Sequence, residues 1–127
     1  MNKRTGLNHP PVSVKRAVIE RDGGFCLLAL HNCQGEATTA HHRANRGHGG
    51  SRVLNHPGNL VATCQQCNSD AENAGAITRM DLIDRGLRVE KSATNAATLI
   101  RALETPVTDL EGRRWLLIDE HTRQEVE

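Results

Sequence analysis

Residues 64–68 read Cys64-Gln-Gln-Cys67-Asn68, and this stretch decides the fold because its two cysteines have the spacing of a metal-binding knuckle. Two further cysteines, Cys26 and Cys33, lie upstream with six residues between them. Two such pairs can close one tetrahedral zinc site, and four thiolates leave no open position, which is typical of a structural zinc. His31 could replace one cysteine as a ligand. The alternative without a metal is two buried free cysteines and two incidental ones.

Composition also favours a metal-supported domain. The chain has 127 residues and two aromatic side chains, Phe25 and Trp115. This length predicts one domain with a modest core, and a chain poor in large side chains often needs a metal to fold. No stretch approaches roughly 18 apolar residues, so we expect no membrane partner. Residues 1–13 lack the apolar core of a secretory signal, which predicts a cytoplasmic location, where cysteines at ligand spacing more often bind metal than form disulfides.

Charge is distributed unevenly along the chain. Residues 1–69 contain eight Lys/Arg and three Asp/Glu, whereas residues 70–127 contain eight and twelve. The first half is therefore where a polyanion would be attracted, although a solvated surface of uneven charge gives the same count.

A run without acidic residues sharpens this expectation. Residues 37–69 contain no Asp or Glu, and they include three arginines that we predict to contact DNA phosphates: Arg43, Arg46 and Arg52. Lys15, Arg16 and Arg21 extend the same basic surface. The scarcity of aromatic residues argues against a platform that stacks single-stranded or RNA bases.

The local patterns predict an α+β fold with a small sheet. Residues 1–12 form an irregular arm, and Ser13 caps a helix over 14–21. Residues 25–30 form a strand or a knuckle, residues 38–42 a β-prone run, and residues 43–58 a flexible loop with four of the eleven glycines. Later elements are helices at 68–73, 77–85 and 95–104 and a strand at 112–119.

Two adjacent histidines, His41 and His42, end the β-prone run. Neighbours on a strand point to opposite faces, so the two rings would need different partners unless a local bend aims both at one substrate. Without further context, two surface histidines in a polar loop are the plainer interpretation.

The order of these features resembles the HNH endonuclease family, whose fold is a ββα-metal finger. A basic helix leads into Arg21-Asp22-Gly23-Gly24 and the first cysteines, and the histidine pair follows. The later features, in order, are Gly47-His48-Gly49-Gly50, Asn59-Leu60, the Cys64–Cys67 knuckle and Asn68. The match covers residues 14–73. Residues 77–127 are similar, more weakly, to the ends of small HNH proteins from actinobacterial phages.

The resemblance implies a ββα-metal core at residues 13–76, with zinc knuckles, and an extension at 77–127 packed on it. His42 would be the general base that activates water, and Asn59 would accept a hydrogen bond from the other ring nitrogen of His42. His41 and Asn68 would bind one divalent ion that polarises the phosphate.

The chain departs from the common family pattern at Asn68, where many members have histidine. An asparagine oxygen is acceptable to Mg²⁺ or Mn²⁺, which are the expected catalytic ions, whereas His41 favours softer metals. His48 and His56 are spare imidazoles that could replace an assigned ligand.

Three functions follow from these observations. The first is a metal-dependent DNA endonuclease of low sequence specificity, acting as a monomer in the host cytoplasm if it is phage-encoded, with a phage terminase as a possible partner by analogy. The second is a non-catalytic zinc-finger module that binds DNA or protein. The third is an inhibitor or assembly protein, which the acidic second half keeps open.

Overall fold

The computed structural model describes residues 9–46 and 52–127. These residues form a small mixed α+β domain, which confirms the predicted class. The helices are α1 (Val12–Arg21), α2 (Gln65–Glu72), α3 (Ala76–Asp84) and α4 (Asn95–Glu104), with short 3₁₀ helices at Val53–Asn55 and Pro57–Asn59. The strands are β1 (Thr39–His42), β2 (Leu60–Thr63), β3 (Val107–Thr108), β4 (Arg114–Leu117) and β5 (Arg123–Val126). β1 pairs with β2, and β3, β4 and β5 form a second sheet in that order.

The antiparallel β1–β2 pair (the hairpin) carries His41 and His42, and α2 carries Asn68. The strands are antiparallel, with His41 opposite Val61 and His42 opposite Leu60. Cys64 separates β2 from α2 and caps the helix, because its sulfur accepts a hydrogen bond from the Cys67 amide. The capped turn brings Asn68 beside the hairpin.

α1 packs on the hairpin through Val18, which clusters with Ala40 and Leu60. The end of α1 also satisfies the backbone of β2. The Ala62 amide donates to Asp22 Oδ2 at 2.9 Å, and the Leu60 carbonyl accepts from Arg21 at 2.7 Å. Buried backbone groups need such partners, so this contact fixes the helix against the strand.

The main core joins the cysteine region to the second half of the chain. Its buried members share one apolar cluster that runs from the first cysteine to β4: Cys26, Leu27, Leu28, Val61, Cys64, Cys67, Ala71, Leu82, Leu87, Val107 and Leu117. Residues 77–127 therefore complete the core around the cysteines.

Gly86 makes the turn that returns the chain from α3 to the hairpin. Its φ is +72°, and an added Cβ would overlap the Pro106 carbonyl. The Leu87 amide donates to the Leu82 carbonyl at 2.8 Å, and the Val89 amide donates to the Arg43 carbonyl at 2.9 Å. This turn carries residues 87–89 to the end of β1.

Several predicted elements differ in their bounds. α1 begins at Val12 with Pro11 as its N-cap residue, so Ser13 is the second residue of the helix and does not occupy the capping position. α2 begins at Gln65, three residues earlier than predicted, because Cys64 is its cap. α4 matches the prediction, and the late strand is the shorter β4.

The segments around the hairpin also differ from the prediction. Residues 25–30 form no strand, and Phe25 makes a single bridge with Glu36. Within the predicted loop at 43–58, two 3₁₀ turns occupy residues 53–59, while residues 47–51 and most of the predicted arm, residues 1–8, lie outside the described residues. No helix in the described ranges has the length and apolar character needed to cross a membrane.

Candidate functional site

The four cysteines come together, as their spacing predicts. The Sγ atoms of Cys26, Cys33, Cys64 and Cys67 all lie within 4.8 Å of one another. Sulfurs bound to one tetrahedral zinc at about 2.3 Å are about 3.8 Å apart, so the group needs only a small contraction around an ion. His31 is exposed and is not a member of this group.

Backbone amides around the sulfurs suit thiolates. The Gln34 and Cys67 amides donate to Cys64 Sγ at 3.4 and 3.3 Å, and the Gly35 amide donates to Cys33 Sγ at 3.3 Å. Such N–H donors stabilise negative charge on sulfur. The cluster could therefore hold a metal ion such as zinc with all four residues as ligands.

The cysteine pKa values reflect their crowding. Burial raises the pKa of Cys26, but hydrogen bonds from Thr63 and nearby backbone amides outweigh it and bring the pKa to about 7. Burial raises the pKa of Cys67, and the neighbouring Cys64 and Cys26 raise it further. A cation among the sulfurs would lower the pKa values of the cysteines, because it stabilises several neighbouring thiolates together.

His41 and Asn68 face each other in a second place. His41 Nδ1 lies 3.1 Å from Asn68 Oδ1, and its Nε2 lies 3.2 Å from the Leu87 carbonyl oxygen. Both oxygens only accept, and a neutral imidazole has one N–H, so the ring can donate to only one of them. We assign the proton to Nε2, because the backbone carbonyl cannot turn away whereas the Asn68 amide can rotate, and Nδ1 then carries the lone pair. Burial lowers the pKa of His41, which keeps the ring neutral. A bare ring nitrogen and an amide oxygen therefore point at each other.

His42 has a different partner from the one predicted. Its Nε2 lies 2.8 Å from Asn55 Oδ1 and donates to it, so Nδ1 carries the lone pair of the neutral ring. Burial lowers the pKa of His42, the hydrogen bond to Asn55 raises it, and the positive charge of Arg46 lowers it, so that the pKa of His42 is about 4. The asparagine that orients His42 is Asn55, four residues before the predicted one.

Asn59 contacts the backbone instead, which corrects its predicted hydrogen bond to His42. Its Oδ1 accepts from the Ala44 amide at 2.9 Å, and its Nδ2 donates to the carbonyls of Ala44 and Leu54 at 3.0 and 2.9 Å. The side chain is fully buried and its hydrogen-bonding groups are engaged. Asn59 thus joins the two ends of the segment between residues 44 and 54.

Arg43 corrects a second prediction. Its side chain is 1% exposed, so it does not lie on a surface that DNA could reach. The guanidinium donates to four carbonyl oxygens at 2.6–2.8 Å, those of Gly86, Gly58, Ala102 and Thr105. Ala102 and Thr105 lie at the end of α4, where helix carbonyls lack partners and favour a cation. Arg43 therefore joins the hairpin to α4 and to the Gly86 turn.

Arg21 is also structural rather than part of a basic surface. It pairs with Asp22 at 2.8 Å, and both side chains are buried. It donates to backbone carbonyls of Pro57, Leu60 and Asp119. Arg52, the third predicted DNA contact, is exposed and lies away from the cavity described next.

A cavity of about 400 Å³ opens over the histidines. His41, His42 and Asn68 all line it, so the structure brings these three predicted residues to one place. Its cationic lining residues are Lys15, Arg43, Arg46 and Arg88, and Glu72 is the acidic residue among the described lining residues. The positive lining favours an anionic ligand.

Sequence reasoning missed Asn55 and Arg88. Asn55 and Asn59 lie in the same polar segment, and the sequence does not show which of the two reaches His42. The available signal was Leu60, which begins a buried strand and so places the adjacent Asn59 in the interior. Arg88 lies 47 residues after His41 in sequence, and the turn at Gly86 brings it back to the hairpin. The glycine was the one sequence signal that a turn precedes Arg88. His56, a spare imidazole, accepts from the Gly58 amide at 2.9 Å, and His48 lies outside the described residues.

Comparison with known proteins gives no relative from which a role could be transferred. No protein-family model, no curated protein and no solved structure matches the chain.

Proposed function

We propose that the protein is a metal-dependent DNA endonuclease of the HNH type, with β1, β2 and α2 as its ββα-metal core. One observation carries the proposal. His41 Nδ1 and Asn68 Oδ1 approach to 3.1 Å in a cavity shared with His42, and each carries a lone pair when the His41 proton is on Nε2. Two facing acceptors repel unless a cation joins them.

The spacing of these two atoms suits an octahedral ion. Ligands bound at right angles at about 2.1 Å are about 3.0 Å apart, the geometry of Mg²⁺ and close to that of Mn²⁺. The Leu87 carbonyl holds His41 in the tautomer that frees Nδ1, as a backbone acceptor commonly does for a ligating histidine. Without an ion, rotation of the Asn68 amide would let Nδ2 donate to Nδ1, so the same pair accommodates both states.

Two protein ligands leave coordination positions for phosphate and water. When bound, the ion supplies Lewis-acid polarisation of the phosphate and stabilises the leaving oxygen. His42 acts as the general base: Asn55 fixes its protonated Nε2, so Nδ1 is the nitrogen that takes a proton from water. A phosphate anion beside the ring raises the pKa of His42 from its low value and makes it a stronger base.

The cysteine cluster has a structural role in the proposed enzyme. Its four ligands come from both sides of the histidine pair, and Cys64 also caps the helix that carries Asn68. Zinc there would fix α2 relative to the hairpin and so hold the distance between His41 and Asn68. DNA is the proposed substrate, with little base preference, and a role in phage DNA packaging beside a terminase remains an analogy from the family.

Plasmid cleavage tests the proposal. The zinc-loaded full chain is incubated with supercoiled DNA and Mn²⁺, Mg²⁺ or no added divalent ion. Nicked or linear product should form only with the ion, and His42→Ala should lower the initial rate by about 100-fold or more. His121→Ala, which removes an exposed imidazole outside the cavity, is the matched control. Intact DNA under all conditions, or full activity in His42→Ala, contradicts the proposal.

A non-catalytic zinc module is the second candidate, and the cysteine cluster favours it because that cluster needs nothing from the cavity. Metal counting separates the two. One zinc per chain with no site for a second divalent ion supports the module, whereas a second site that depends on His41 supports the enzyme.

A further inference from the structure

Two arginines in the histidine cavity have buried nitrogens without partners. In the described parts of the chain, Arg46 Nη1 and Arg88 Nε are the buried side-chain nitrogens or oxygens without a hydrogen bond. Both residues line the cavity with His41, His42 and Asn68. A buried donor without an acceptor is costly, and one on a charged group more so. Two such donors in one cavity indicate a missing acceptor.

Other arginines of the fold have their acceptors. Arg43 donates to four carbonyls, and Arg85, three residues before Arg88, donates to the Leu27 and Leu28 carbonyls and to Asp81. The fold therefore satisfies arginines where they serve structure. Arg43 also lines the cavity, but backbone carbonyls accept from its guanidinium, whereas Arg46 Nη1 and Arg88 Nε have no acceptor.

Charge at the cavity specifies the kind of acceptor. Arg46 and Arg88 line the same cavity as His41 and His42. Lys15 and Arg43 are the other cationic lining residues, and Glu72, which is exposed, is the acidic residue among the described lining side chains. An anion with several acceptor oxygens fits this environment, and guanidinium groups match phosphate geometry.

We propose that Arg88 and Arg46 bind the phosphate group of the DNA backbone at the site of cleavage, so that the second half of the chain completes the site. This assignment of the bound group rests on the proposed nuclease function. Arg88 directly follows Leu87, whose carbonyl holds His41, so one segment orients a metal ligand and binds the phosphate. Arg46 lies four residues after His42 in sequence and lines the same cavity.

DNA binding without added divalent ion tests the proposal, since no cleavage is then required. The zinc-loaded full chain is titrated against a short labelled DNA duplex at several salt concentrations, with Arg88→Met, Arg88→Lys and Arg46→Met beside the wild type. Arg79→Met is the matched control, because Arg79 is exposed on α3 and does not line the cavity. Zinc content and circular dichroism identify variants that fold.

Arg88→Met and Arg46→Met should each raise the Kd for DNA by roughly tenfold, uniformly across DNA sequences. Each should also lower the slope of log Kd against log salt by about one. Arg79→Met should match the wild type. If Arg88→Met does not fold, Arg46→Met and the charge-conserving Arg88→Lys carry the test, and weakening in Arg46→Met supports the site. Wild-type affinity and salt slope in the folded variants, or no DNA binding by the wild type, overturns the proposal.

The result is distinguishable from that of the nuclease assay. Arginine-dependent DNA binding without cleavage would keep the phosphate site and reject the enzyme. Cleavage that Arg88→Met and Arg46→Met leave unchanged would keep the enzyme and reject this site.

Discussion

His41 Nε2 lies 3.2 Å from the carbonyl oxygen of Leu87, so a residue beyond α3 contacts the ring of a histidine in the hairpin. This contact connects the two halves of the chain at the candidate site. It depends on the turn at Gly86, because that turn returns residues 87–89 to the end of β1.

Gly86→Ala should therefore destabilise the fold. The new Cβ would overlap the Pro106 carbonyl in addition to the strain of a positive φ, so we expect a loss of at least about 3 kcal/mol in the free energy of unfolding. Urea denaturation of the zinc-loaded protein measures it.

Gly112→Ala is the matched control. Gly112 has φ +84°, but a Cβ there meets nothing within 4 Å, so only the backbone strain of about 1–2 kcal/mol applies. Equal losses in the two variants would show that close packing at Gly86 is unimportant.

Removal of zinc should unfold the core. Four cysteines contribute sulfurs from positions far apart in the sequence, and structural zinc supplies folding free energy directly. We expect one zinc per chain, and loss of the cooperative thermal transition with a strong chelator or in Cys67→Ser. A protein that keeps its transition after losing zinc would contradict this prediction.

Asn59→Ala and Asn55→Ala should have opposite signatures. Asn59 is fully buried and makes three backbone hydrogen bonds, so its loss should cost about 2–4 kcal/mol of stability. Asn55 holds the ring of His42, so its loss should lower the cleavage rate with a small effect on stability. Denaturation and plasmid cleavage on both variants measure the two effects, and the reverse pattern would restore the sequence-based assignment.

Arg43→Met should leave four carbonyl oxygens without their donor. We expect a stability loss of about 3 kcal/mol or more, since the α4 carbonyls are among them. Arg52→Met, at an exposed arginine, should change stability by less than about 0.5 kcal/mol. Thermal and urea denaturation compare the pair, and comparable stability in the two variants would return Arg43 to the DNA-binding surface.

The sequence predicted those features that depend on local pattern or short spacing. α4 could be predicted to the residue because Thr94 caps it and Pro106 follows its end. The cysteine cluster could be predicted from the spacing of the ligands. The position of His41 and His42 at the end of a strand could be predicted because they end a β-prone run before a polar segment.

The sequence could not reveal which polar side chains become buried. Arg43 and Arg46 lie three residues apart in one basic run and both line the cavity, yet the end of α4 and the Gly86 turn enclose Arg43, while Arg46 Nη1 has no acceptor. Asn55 takes the partner expected for Asn59 for a similar reason: the 3₁₀ turns at residues 53–59 determine which amide reaches His42. These outcomes depend on contacts between distant segments.

Manganese binding to the zinc-loaded protein tests the claim that His41 and Asn68 hold a divalent ion. Electron paramagnetic resonance of Mn²⁺ titrated into the full chain counts the ions bound beyond zinc. The His41–Asn68 pair predicts one Mn²⁺ per chain, lost in His41→Ala and weakened in Asn68→Ala, with His121→Ala unchanged. Absence of a bound Mn²⁺, or undiminished binding in His41→Ala, would contradict the claim.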